Sequence, residues 1–140
     1  MEKRKYFTFE VNKEHYALPI DTVNQIIGLQ DITLIPNQPK YLKGVINLRG
    51  QIIPIVDFRL RLGMEPLDYT DKTSIVVTEN KDVFIGFIVD EVSEVLEIED
   101  KDISKQSDKK IKKENAIIDG FYKTEEFIIK ILNYNQVSEH

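Results

Sequence analysis

The sequence predicts an all-β fold built from two similar small barrels, and three observations carry that prediction. Short segments rich in aromatic and β-branched residues recur along the whole of the 140-residue chain, the pattern of sandwiches and barrels rather than of alternating βαβ units. Helical patterns are few and brief. The third observation is internal repetition. Between Asp21 and Asp90, an offset of 69, Asp21-x-Val23-x-x-Ile26 falls on Asp90-x-Val92-x-x-Val95, and Leu18 and Ile20 fall on Phe87 and Val89. Between Gly44 and Gly120, an offset of 76, Ile52-Ile53-x-Ile55-Val56-x-Phe58 falls on Ile128-Ile129-x-Ile131-Leu132-x-Tyr134. The larger offset places an insertion in the later half, in the lysine-rich tract.

The expectation is therefore a single domain over residues 1–140, with approximately duplicated and intertwined halves at 6–63 and 74–135. Neither half, at roughly 70 residues, would hold a generous core alone, so the two barrels are expected to stack their apolar faces into one joint core.

In chain order, Tyr6–Val11 and Tyr16–Ile20 read as strands flanking a polar link, Asn12-Lys13-Glu14. Asp21 is suited to N-cap a short helix presenting Val23, Ile26 and Ile27. Ile32–Ile35, Val45–Leu48 and Gln51–Val56 read as strands, and Asp57 as the cap of a helix over Phe58–Leu62 that Gly63 stops. Ser74–Thr78 and Val83–Val89 are strands. Asp90 is suited to cap a helix carrying Val92, Val95 and Leu96, and Phe127–Leu132 is the last strand. These aspartates read as caps, each placed against the positive end of its helix, rather than as catalysts.

Composition narrows the function. With no cysteine, disulfides and thiolate chemistry are excluded. The opening MEKRKYFTFEV makes a poor signal peptide. The longest apolar run, Val83 to Val89, is far below the ~20 residues of a spanning helix. A cytoplasmic protein with no direct membrane insertion is expected. Nineteen basic against twenty-four acidic residues, net −5, repels phosphate backbones. Lys101–Asn115 is locally basic but carries no aromatic residue on which a base could stack; it reads as a solvated loop. His15 and His140 stand apart, the six glycines form no phosphate loop, and no metal-ligand set occurs, so neither cofactor nor metal is expected. Without converging acid, base or nucleophile, an enzyme is not expected.

The stretch Gly44 to Asp57, GVINLRGQIIPIVD, places Asn47-Leu48-Arg49-Gly50 between two strand-like runs. A turn there needs Gly50 for a positive φ but needs no arginine. Two readings of Arg49 stay open: a solubilising charge, or a planar donor fork offered to a carboxylate or to backbone carbonyls.

The succession Tyr16-Ala17-Leu18-Pro19-Ile20, Val23-x-x-Ile26, Ile35-Pro36-x-x-Pro39-x-Tyr41-Leu42-x-Gly44, Asn47-Leu48-Arg49-Gly50, Ile53-Pro54-Ile55-Val56-Asp57 and Gly86-Phe87-Ile88-Val89-Asp90-x-Val92 resembles the CheW family of bacterial chemotaxis, from about Tyr6 to Leu132. The resemblance implies two five-stranded SH3-like barrels sharing a hydrophobic core. It also implies a non-catalytic adaptor that couples methyl-accepting chemoreceptors to the histidine kinase CheA, through the kinase's regulatory domain, in arrays at the inner face of the membrane. By the same resemblance Val23, Gln25, Gly44 and Arg49 belong to receptor or kinase contacts, and Val92 and Val95 to the groove for the receptor's helical tip. The family often has an acid where Gln25 stands and a longer C-terminal helix than Asn133–His140 allows. Other readings are an adaptor of a non-motility receptor–kinase pathway, a nucleic-acid-binding pair of SH3-like barrels, or a small-molecule-binding barrel.

Overall fold

The computed structural model describes residues 3–105 and 117–139; most of the lysine-rich tract lies outside the described residues. Eleven strands carry the described fold: β1 (Lys3–Val11), β2 (Glu14–Pro19), β3 (Val23–Gly28), β4 (Leu42–Leu48), β5 (Gln51–Asp57), β6 (Ser74–Asn80), β7 (Val83–Val89), β8 (Glu91–Glu99), β9 (Ser104–Lys105), β10 (Ile118–Lys123) and β11 (Ile128–Leu132). Two single-turn helices, α1 (Phe58–Arg61) and α2 (Tyr134–Val137), follow β5 and β11. The all-β class stands, with one sheet in each of two compact units.

One unit takes Val23–Val92 and holds the sheet ordered β3-β6-β7-β5-β4. The other takes Met1–Thr22 with Ser93–His140 and holds β8-β1-β2-β11-β10-β9. Sequence offsets map one set of pairings onto the other. The parallel pair Ile55↔Gly86 of β5 and β7 matches Ile131↔Ala17 of β11 and β2. The register shift between Leu42 and Gly44 matches that between Ile118 and Gly120. Asp57 N-caps α1 through Arg59 N, and Asn133, 76 residues on, N-caps α2 through Gln136 N.

Each unit has its own apolar centre. In the β3-to-β7 unit it is Ile46, Ile53, Ile55, Ile75, Val77 and Ile88, all nearly inaccessible. In the other it is Tyr6, Ala17, Ile98, Ile129 and Ile131. Full burial of each such aliphatic stabilises by about 1.5–3 kcal/mol. Gly86 sits where a Cβ would meet Ile55 Cδ1 at 2.7 Å and Ile75 Cγ2 at 2.9 Å, so two isoleucines fill the space a side chain would take.

Chain connectivity forces each sheet to curl. Laid flat, the five strands from β3 to β4 plus the bridging residue Thr33 would span about 24 Å at 4.8 Å per spacing. Yet Gly28, ending β3, and Thr33, which pairs with Val45 on the outer edge of β4, are five residues apart, a reach of about 18 Å at most. The other unit repeats this: Glu99 ends β8 at one edge, and Ser104 opens β9 at the opposite edge. Both sheets therefore curl in the SH3-like manner, but neither ladder closes into a complete barrel. The sheets are six- and five-stranded rather than five and five, because the two-residue β9 is a proper strand while its counterpart at Thr33 is a single bridge.

Several local expectations are corrected. After Asp21 no α-helix forms: Ile20–Thr22 is a 3-10 turn and Val23–Gly28 a strand. The spacing of Val23, Ile26 and Ile27 suits a helix, but its half-buried and exposed residues alternate, and β6 supplies partners such as Ile26↔Val76. Val92 and Val95 lie on β8, not on a helix. Ile32–Ile35 gives only the Thr33 bridge, and β10 went unread because Asp119-Gly120 interrupts its apolar pattern. Asp57 does cap α1, and Gly63, at φ 79°, ends it.

Gly44 is the residue that curling requires. At φ 144° it presses its backbone onto the closing segment, where a Cβ would overlap the Thr33 carbonyl oxygen and lie 2.9 Å from Ile32 Cγ2. A Cβ on Gly28 would meet nothing within 4 Å. Gly44→Ala should therefore cost about 3 kcal/mol of stability, and Gly28→Ala less than about 0.5 kcal/mol. Urea denaturation of both variants checks this, and equal losses would contradict it.

Candidate functional site

Arg49 stands at the tip of the β4–β5 hairpin. Leu48↔Gln51 is the last pair, so the loop is two residues long, with Arg49 at φ 54° and Gly50 at φ 88°. This is the left-handed type I′ turn that matches the twist of its strands. Asn47 Oδ1 accepts from Gly50 N at 2.8 Å and braces the turn. Asn12-Lys13 and Lys81-Asp82 adopt the same conformation in two other hairpins, so the strain of a left-handed arginine belongs to the turn type. Its side chain is exposed and joins no ion pair among the described residues. A planar five-donor cation is thus held on a stiff ribbon with its fork free.

The other expected residues scatter over the fold. Gly44 is buried on β4 and acts through backbone closure rather than through a side chain. Val23 and Gln25 are half-buried on β3, at the opposite end of the strand order from β4. Gln25 Nε2 donates to Asn24 Oδ1, and Asn24 Nδ2 to Glu79 Oε1, each at 3.3 Å. On β8, Val92 is half-buried and Val95 is 50% exposed. Val92 belongs to the unit of β3 and Val95 to the other.

Sequence reasoning missed a polar network built from Asp57, Arg59, Tyr69 and Asp90. Asp57 is 3% exposed; Oδ1 accepts from Arg59 N at 2.9 Å and Oδ2 from the Tyr69 hydroxyl at 2.8 Å. The Arg59 guanidinium donates through Nε (3.0 Å) and Nη2 (2.5 Å) to the two oxygens of Asp90. That bidentate bond raises the guanidinium's pKa further. Burial, then the bond to Asp57, pushes the Tyr69 phenol well above its ordinary range. Asp90, expected as a cap, is an ion-pair partner instead. Its link to Arg59 spans 31 residues, which no local pattern reveals. Every charge here is answered by a partner, so the network ties α1 and the loop before β6 to the sheet.

Two clefts among the described residues carry no converging catalytic groups. One, of about 410 Å³, is lined by Asp102, Ser104, Phe121, Tyr122, Lys123 and Ile128. The other, of about 300 Å³, brings Arg4 and Lys105 against Asp100 and Asp119, with Lys105 Nζ 3.7 Å from Asp100 Oδ1. No group of three or more potential metal ligands occurs among the described residues. No helix among them is long and apolar enough to cross a membrane.

Comparison with known proteins finds matches along most of the chain. Residues 5–140 match a family model described as the CheW-like domain. The Chemotaxis protein CheW of Bacillus subtilis is 32% identical over 133 residues, covering 95% of this chain and 85% of that protein. That of Thermotoga maritima is 34% identical over 141 residues, covering 99% and 90%. The crystal structure of the scaffolding protein TtCheW from Thermoanaerobacter tengcongensis superposes with a TM-score of 0.85 at 31% identity, covering 94% of this chain and 90% of that one.

Tyr16 in one unit and Tyr69 in the other give the fold a pH signature. Burial, then the nearby Glu14 carboxylate, pushes Tyr16 up to about 12, and Tyr69 is also raised. A phenol protonated longer in the folded than in the unfolded state favours folding below the unfolded pKa of about 10. That contribution is lost as pH rises through the folded value. The urea midpoint should hold to about pH 10 and fall towards pH 12, with a shallower fall in Tyr16→Phe and Tyr69→Phe. An equally steep fall in both variants would contradict the assignment.

Proposed function

We propose that this chain, which belongs to the CheW family and is a chemotaxis scaffold protein, couples methyl-accepting receptors to the histidine kinase CheA by binding both and catalysing nothing. The observation that carries this is Arg49, an exposed donor fork unpaired among the described residues, on a braced hairpin. Such a group adds little to stability where it stands, whereas desolvated against a partner's carboxylate it contributes about 1.5–3 kcal/mol. The matching pairings of the two sheets support reading the chain as two intertwined copies of one unit, residues 6–63 and 74–135, within a single domain.

In this reading Arg49 and the β3 residues Val23 and Gln25 meet kinase or receptor, while Gly44 shapes the edge that presents them. Val92 and Val95 on β8 take the apolar stripe of the receptor's helical tip, as grooves take amphipathic helices. A rigid body touching both partners passes a change in one to the other as a difference in affinity between states. The protein then sits where the receptors are, at the inner face of the membrane, without inserting into it.

Arg49→Asn separates binding from folding. It creates the Asn-Gly pair that a type I′ turn prefers, so stability should rise by about 0.5–1 kcal/mol. Affinity for the kinase regulatory domain or the receptor should fall at least about tenfold, because the charged bond is lost. Calorimetric titration with both partners checks this, and unchanged affinity for both would refute the role of Arg49. Val95→Lys, at an exposed position, should leave the melting temperature unchanged and abolish co-sedimentation with receptor-containing membranes. Retained co-sedimentation would count against the β8 site.

A further inference from the structure

We infer that β3 is a docking edge for a second copy of this chain, joined strand to strand. β3 and β8 hold equivalent places, each outermost in its sheet beside β6 and β1 respectively, and their sequences match at the 69-residue offset. Their chemistry differs. β8 carries Glu91, Glu94, Glu97 and Glu99, with Glu94 and Glu97 exposed, and charges of this kind discourage a further strand from pairing. β3, Val-Asn-Gln-Ile-Ile-Gly, has no charge and no proline, and its Ile26 is 42% exposed.

On one side β3 bonds to β6; on the other, no backbone partner is present among the described residues. Outward N–H and C=O groups on a neutral, partly apolar edge are met best by another strand. The strand suits itself: laid antiparallel on its own copy, it sets neutral residues against neutral residues, whereas β8 on β8 would oppose glutamates. A two-fold interface needs only this one patch. The register shift between Val23 and Gln25 confines good pairing to Gln25–Gly28. So short an interface buries well under the ~1,200 Å² of a stable complex, so it fills where copies are concentrated. Val23 and Gln25 of this strand also stand among the proposed receptor and kinase contacts, so the test below uses this chain alone, where only self-pairing can act.

Sedimentation velocity from about 10 μM to about 1 mM, paired with amide hydrogen exchange, tests it. Towards the upper concentration the mass should rise from 16.3 kDa towards twice that value. The amides of Gln25–Gly28 should then exchange at least about tenfold more slowly, with β8 unchanged. Ile26→Lys and Gln25→Glu should each stay monomeric at an unaltered melting temperature. A wild-type chain monomeric throughout, association that survives both substitutions, or protection appearing on β8 instead would overturn the proposal.

Discussion

Only four residues join the two outer edges of each sheet, and that short tether governs the architecture. Between Gly28 and Thr33, and again between Glu99 and Ser104, the chain is too short to cross a flat sheet. The sheet must curl, and curling brings the closing segment down on β4 or β10. Only a glycine lets the backbones meet there. Gly44 lies against Thr33 and Ile32, and Gly120 against Ile103 and Ser104. The isoleucines inside each curl then fill a space whose size the tether has already set.

Much of this was legible in the sequence. Strand-like runs marked β1, β2, β4 to β7 and β11, and Gly44 and Gly120, 76 residues apart, stand at matching register shifts in the two sheets. Asp57 announced α1 because capping is a local interaction of one side chain with an amide two residues on. What escaped was non-local. Val23-Asn24-Gln25-Ile26-Ile27 satisfies helical and strand spacing alike, and only the facing β6 decides between them. Asp90 resembles a cap until Arg59 is seen opposite it.

The candidate surface was legible in a different measure. Composition left Arg49 open between a solubilising charge and a recognition group. The structure shows its fork exposed on a ribbon braced by Asn47. Gly44, drawn into the same list by resemblance, has a structural reason of its own. The buried carboxylate Asp57, which in isolation would invite a catalytic reading, is engaged by Tyr69 and by the first turn of α1. Asp57 is thus turned inward and answered, while the Arg49 fork is turned outward. That division is what a scaffold requires, since its partners must change without its core changing.

A three-component sedimentation tests the central claim most directly: receptor-containing membranes, the kinase and this chain are spun together and in pairs. On the present account kinase and chain both pellet with the membranes, and omitting the chain leaves most of the kinase in the supernatant. Kinase that pellets equally well without the chain would contradict it.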